Sequence, residues 1–392
     1  GGSGPAGGAG ASAGGAGGSR ATDAAFCAAQ LTSAATQYEG FRTSTYTNAN
    51  QIPRSVSGST VNYVAPSDWT SGFPIGSFWL LYEHTGDMAW RTAAESKMSA
   101  LEGQAANTTT HDVGFVINST FGNGHRLTQN AAYRTFVLQA AASLATRYDP
   151  DVGCTRSWSF GTWSFPVIID NMMNLELLFH ATELGGEQRF TDIAISHATK
   201  TMMNHFRADA SSYHVVDYNP DTGAVIRKQT NQGLNDESAW ARGQAWGLYG
   251  FTMVYRETQD ARFLAHAQRI ADFYTQSSRM PADAVPYFDF DAPTLANVPD
   301  YRDASAGAIA ASGLIELAGF VTGDARRRYL DFAMLALRTL SSSQYRAPSG
   351  QNGRFLLLHS VGNYPQNGEV DVPLNYADYY YLEALMRCAG LR

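Results

Sequence analysis

Two aspartates stand in settings that would change their acid–base behaviour. Asp170 lies in Ile168-Ile169-Asp170-Asn171-Met172-Met173-Asn174-Leu175, a nearly unbroken apolar stretch that follows Phe165-Pro166. A carboxylate deprived of water there has its pKa raised toward what a general acid needs near neutral pH. Asp112 sits in His111-Asp112-Val113-Gly114-Phe115, just after Thr108-Thr109-Thr110. The two aspartates are far apart in the chain, so only tertiary structure can join them; joined, each raises the other's proton affinity. A third cluster runs from Gln232 to Trp246, with Trp240, Arg242 and Trp246 inside two helical turns. Tryptophan faces stack on sugar rings, and the arginine fork fits a carboxylate. Each cluster also fits a structural role. The aspartates suit helix starts, and the tryptophans suit a core with Arg242 on the surface.

Other chemistries find no support. There is no H-E-x-x-H and no Cys/His cluster, so neither a metal nor an organic cofactor is expected. A G-x-G-x-x-G match (Gly2 to Gly7) and a G-x-S-x-G match (Gly10 to Gly14) fall in a glycine-rich tail, without the strand and helix those motifs require. The 392 residues are 44% hydrophobic and 12% aromatic but only 16% charged, which excludes disorder along the whole chain. A net charge of −7 argues against nucleic acid as a partner. No apolar run reaches the ~18 residues of a membrane span; the longest, Ala308 to Val321, is broken by Glu316. Three cysteines form no disulfide framework, although Cys27 and Cys388 could pair if the two ends of the fold meet. Residues 1–20 read as a flexible Gly/Ala/Ser linker and residues 21–392 as one domain. Such a tether suggests a periplasmic or extracellular protein, or a lipoprotein.

Helical periodicity dominates the elements that must position these residues. Segments 128–147, 168–184, 187–205, 237–258, 260–277, 304–320, 324–342 and 376–389 carry apolar residues at i, i+3, i+4 and i+7. Tyr213–Tyr218 and Ala224–Lys228, flanking Asn219-Pro220-Asp221-Thr222-Gly223, predict a β-hairpin. A loose repeat of helix, short polar turn and second helix recurs around Thr85, Leu184, Thr258 and Thr322, with room for about six helical hairpins. Irregular spacing and long aromatic-rich insertions favour a closed α/α toroid over an open solenoid, with the inter-helix loops building a pocket at one end.

With these residues in place, the chain resembles the unsaturated glucuronyl hydrolases, family 88 of the glycoside hydrolases. The resemblance covers most of residues 65–390. It rests on "GFPIGSFWLLYEHTGD", "HDVGF", "FPVIIDNMMNLELLFHATELGG", "SSYHVVDYNPDTGAV", "NQGLNDESAWARGQAWGLYGF" and "YADYYYLEAL", in family order. It implies an all-α fold, an (α/α)6 barrel. It implies action on lyase-generated oligosaccharides that end in a 4,5-unsaturated uronic acid, by hydration of the double bond. Asp170 would protonate C4 and then activate a water that adds at C5. Asp112 would hold the sugar hydroxyls at O2 and O3. His111, His214, Gln232, Trp240, Arg242, Trp246 and Trp69 would line the subsite. The loop His359–Tyr376 is where contacts to the uronate carboxylate and leaving sugar are expected. Two alternatives remain: an unsaturated rhamnogalacturonyl hydrolase acting on pectin fragments, which His111-Asp112 disfavours, and a non-catalytic sugar-binding protein.

Overall fold

The computed structural model describes residues 15–392. Its helices are α1 (Gly15–Gly40), α2 (Phe73–Thr85), α3 (Met88–Met98), α4 (Val113–Ile117), α5 (Asn123–Thr128), α6 (Ala131–Ala145), α7 (Asn171–Glu183), α8 (Gln188–Asn204), α9 (Ala241–Thr258), α10 (Ala261–Gln276), α11 (Ala304–Phe320), α12 (Gly323–Leu340) and α13 (Asn375–Cys388). A π-helical turn, Asn118–Gly122, runs α4 into α5. Helices α2, α4–α5, α7, α9, α11 and α13 form an inner ring that closes where α13 packs on α2. The others surround it, giving an (α/α)6 barrel. Burial follows from position. Outer helix α10 buries Phe263, His266, Ala267, Ile270, Ala271 and Tyr274, a single stripe. Inner helix α11 is buried continuously from Ala304 to Leu314, and its small residues let the neighbouring helices approach.

The two ends of the barrel differ. Inner helices pass to outer ones through tight corners, three of which share a Thr-X-Asx pattern: Thr85-Gly86-Asp87, Thr128-Gln129-Asn130 and Thr258-Gln259-Asp260. In each, the threonine hydroxyl bonds back to the carbonyl four residues earlier. It also accepts the Asx N–H. The middle residue is left-handed, and the Asx carboxylate or amide oxygen caps the next helix. Outer helices return to inner ones through long connections that carry all the strands: β1 (Ile52–Ser57), β2 (Thr60–Val64), β3 (Tyr148–Asp149), β4 (Cys154–Thr155), β5 (Pro166–Ile168), β6 (Val215–Tyr218), β7 (Val225–Gln229), β8 (Ser360–Asn363) and β9 (Gly368–Val372). These connections gather at the N-terminal ends of the inner helices.

Some expectations need correction. The predicted hairpin is present as β6 and β7, but it belongs to a three-stranded sheet with β5, and the described residues form three more, two-stranded sheets. The helix expected from residue 168 starts at Asn171. Pro166 and the β-branched residues after it pair with β6 instead, Ile168 opposite Val215. The linker expected over residues 1–20 lies outside the described residues up to Gly14, and from Gly15 the chain is already helix α1. Cys27 of α1 and Cys388 of α13 form a disulfide, with Cα atoms 6.0 Å apart. Among the described residues, no helix is long and apolar enough to cross a membrane.

Candidate active site

A cleft of about 340 Å³ opens among the long connections, lined by Trp69, His111, Asp112, Asp170 and Gln232, all expected from sequence. Asp112 and Asp170 each stand immediately before an inner helix, α4 and α7, yet neither side chain caps its helix. Their carboxylates are therefore free for other work. Helices α4 and α7 touch at Gly114, where a Cβ would lie 2.8 Å from the Asn174 Cα. The Asn174 side chain accepts the Phe115 N–H at 2.7 Å. This close approach, which only glycine allows, sets the two aspartates on one cleft.

Asp170 is 6% exposed. Burial pushes its pKa up to about 7; His111 and Arg242 pull it down, and the nearby charge of Asp112 adds to the rise. The β5–β6 register brings His214 beside it, with the Ile169 N–H donating to the His214 carbonyl. The imidazole Nδ1 accepts the backbone N–H groups of Asn231 at 3.0 Å and Gln232 at 3.2 Å. A nitrogen that accepts two donors carries no proton, so the ring proton is on Nε2, 3.7 Å from Asp170 Oδ2. Burial, reinforced by Arg242, holds the His214 pKa well below its ordinary value and keeps the ring neutral.

His111 behaves oppositely. Burial disfavours its charge, but Asp112, the Ser157 carbonyl and Asp170 outweigh that and raise its pKa. Its Nδ1 donates to Ser157 O at 2.8 Å, and its Nε2 lies 3.0 Å from Asp112 Oδ1 without hydrogen-bond alignment. Ser157 also bonds Asn171, so one serine ties His111 to the start of α7. Asp170 Oδ2, His214 Nε2, His111 Nε2, Trp158 Nε1 and Asn363 Oδ1 are buried without hydrogen-bond partners. Unmet polar groups gathered at one cleft are what a polar ligand satisfies.

Apart from Gln232, the residues singled out in the third sequence cluster lie behind the cleft wall. Arg242 was expected to meet a sugar carboxylate or to lie on the surface; it is fully buried. It pairs with Asp303 at 3.2 Å and donates to the carbonyls of Val361 and Gly362. It thereby fixes β8, whose Gly362 and Asn363 do line the cleft. Trp240 packs against His214, ring centroids 4.5 Å apart, and against the Arg242 guanidinium. Trp246 is buried between Phe115 and Tyr380. The loop His359–Tyr376 contributes Gly362, Asn363 and Gln366. Sequence reasoning missed Arg54, Trp158, Phe160 and Asn231. The aromatic run Trp158-Ser159-Phe160-Gly161-Thr162-Trp163 was a usable signal for two of these; nothing local marks Arg54, which Asp68 and Glu369 both neutralise.

A larger cavity, about 550 Å³, lies toward the opposite end of the inner helices. Its ionic groups already pair with one another: Arg256 with Glu176 and Glu316, and Arg387 with Glu316 and Glu383. Its acid without such a pair, Glu183, is exposed, whereas the acid of the smaller cleft, Asp170, is buried.

Residues 43–387 match the family model of Glycosyl Hydrolase Family 88. The chain is 45% identical to an unsaturated glucuronyl hydrolase of Formosa agariphila, over 88% of this chain and 86% of that one. It is 31% identical to an unsaturated chondroitin disaccharide hydrolase of Streptococcus agalactiae, over 82% and 81%. The crystal structure of an unsaturated glucuronyl hydrolase specific for heparin superposes with a TM-score of 0.86 at 44% identity, covering 95% of this chain and 97% of the other. With the barrel closed and both aspartates on its loop-rich end, the match spans fold and site together, and the chain belongs to glycosyl hydrolase family 88.

Proposed function

We propose that the protein is an unsaturated uronyl hydrolase, removing the 4,5-unsaturated uronic acid from the non-reducing end of lyase-generated oligosaccharides. The observation that carries this is Asp170: buried, with a pKa near 7 and an unpartnered oxygen facing the His214 Nε2–H. Hydration of a vinyl ether needs one proton donor and one water, and no carboxylate pair flanking the anomeric bond. The Asp170 carboxylic acid gives its proton to C4, and positive charge develops at C5 and the ring oxygen. The resulting carboxylate takes a proton from water, whose oxygen adds to C5. The hemiketal opens to a C5 ketone, and the hemiacetal left at C1 expels the remaining sugar. Asp112, which accepts from Thr110 at 3.1 Å, presents carboxylate oxygens to the sugar hydroxyls, and His111, whose pKa it raises, stands beside it. The named relatives support the glucuronyl reading over the pectic one. A binding protein would gain nothing from holding a desolvated acid.

The disulfide supports an oxidising location outside the cytoplasm, as does the glycine-rich composition of residues 1–20. The activity is tested by treating several uronate polysaccharides with lyases, adding the protein and following the ultraviolet absorbance of the conjugated double bond. Absorbance falls with wild type and not with Asp170→Asn. Persistence of the absorbance on every substrate, or normal turnover by the variant, refutes the proposal.

A further inference from the structure

Phe160 is 58% exposed, an unusual state for a phenylalanine on a folded surface. It is also held in place. One ring face stacks on Trp158, with centroids 4.7 Å apart and planes 17° apart, and its edge meets Trp163. The loop beneath is anchored to β7: Trp163 Nε1 donates to Gln229 Oε1 at 3.0 Å, and Arg227 donates to the Thr162 carbonyl at 2.7 Å. Gly161 makes the turn at φ +77°, and a Cβ there would strike the Trp163 ring at 2.5 Å. Sequence and packing thus fix an aromatic ring with its second face open to solvent.

Its position suggests an occupant. Phe160 and Trp158 line the same cleft as Asp170, but Asp170 is almost wholly buried and Phe160 is mostly exposed. The sugar that reacts at Asp170 must sit deepest, so the sugar it leaves behind projects toward the mouth. The C–H face of a pyranose is apolar and flat enough to lie on an aromatic ring. We propose that Phe160, backed by Trp158, is a specificity-determining platform for the pyranose ring of the leaving sugar. This rests on the uronyl hydrolase reading.

The test compares two substrates: a lyase-generated unsaturated disaccharide, and the methyl glycoside of the same unsaturated uronic acid, which has no leaving sugar ring. The quantity read is the ratio of kcat/KM on the disaccharide to kcat/KM on the methyl glycoside. Phe160→Ala lowers this ratio about tenfold, mainly through KM on the disaccharide, whereas Phe160→Tyr keeps it. An unchanged ratio in Phe160→Ala overturns the platform while leaving the wild-type activity standing. Wild type inactive on both substrates instead overturns the uronyl reading itself. Thermal unfolding of both variants checks that an exposed position has been altered without loss of fold.

Discussion

Asp170 and Arg242 were both singled out by residue type, and burial sent them to different tasks. For Asp170 the folded-state pKa of about 7 lies above the ordinary 3.8, so the folded protein binds a proton that the unfolded chain has already released. The associated stability is complete below about pH 4 and is lost as pH rises through 7. Asp170→Asn therefore raises the unfolding temperature relative to wild type at pH 8 and does so much less at pH 5, measured by scanning calorimetry. In wild type, kcat/KM falls as pH rises through about 7, because the proton donor disappears; a profile flat across that range contradicts the role. Arg242 predicts a different phenotype. Arg242→Met strands the buried Asp303 and frees the Val361 and Gly362 carbonyls, at a cost of about 3–5 kcal/mol in a denaturant titration. A loss confined to KM, with stability unchanged, would return Arg242 to the sugar-binding role first expected of it.

At the scale of elements, the helices were legible because their apolar period is 3.6 and their ends carry local chemistry. The segment expected over 304–320 is α11, Ala304–Phe320. The corners at Thr85 and Thr258 are built from bonds spanning four residues or fewer. The start of α7 was not legible, because Pro166–Ile168 is decided by pairing with strand β6, far along the chain. Helix α1 went unseen because its first turns are glycine-rich and carry no apolar period. Gly114 shows how an element contact becomes function. Gly114→Ala pushes α4 off Asn174, costs about 1–3 kcal/mol and separates Asp112 from Asp170. Turnover should fall by more than the lost stability explains, judged from kcat well below the melting temperature. Full kcat in a stably folded variant would show that the helix contact does not set the site.

For the whole molecule, the disulfide ties outer helix α1 to inner helix α13, near the two ends of the described chain. Replacing both Cys27 and Cys388 by serine lowers unfolding free energy by about 2–5 kcal/mol, and reductant produces the same loss in wild type but none in the double variant. A variant as stable as wild type would mean that α1 is held to α13 by packing alone. Sequence by itself marked the helical hairpins, favoured a closed toroid and singled out Asp112 and Asp170 as candidates for acid–base work, because periodicity, turn chemistry and residue type are local properties. Whether the third cluster touches a ligand was beyond it: Trp240 and Trp246 as core and Arg242 as a buried clamp depend on which side of an inner helix faces the cleft. Tertiary structure alone set the His214 ring against Asp170. It brought in Arg54 and Phe160 from distant connections. Those outcomes depend on burial and on long-range pairing, and both come into being only when the ring closes.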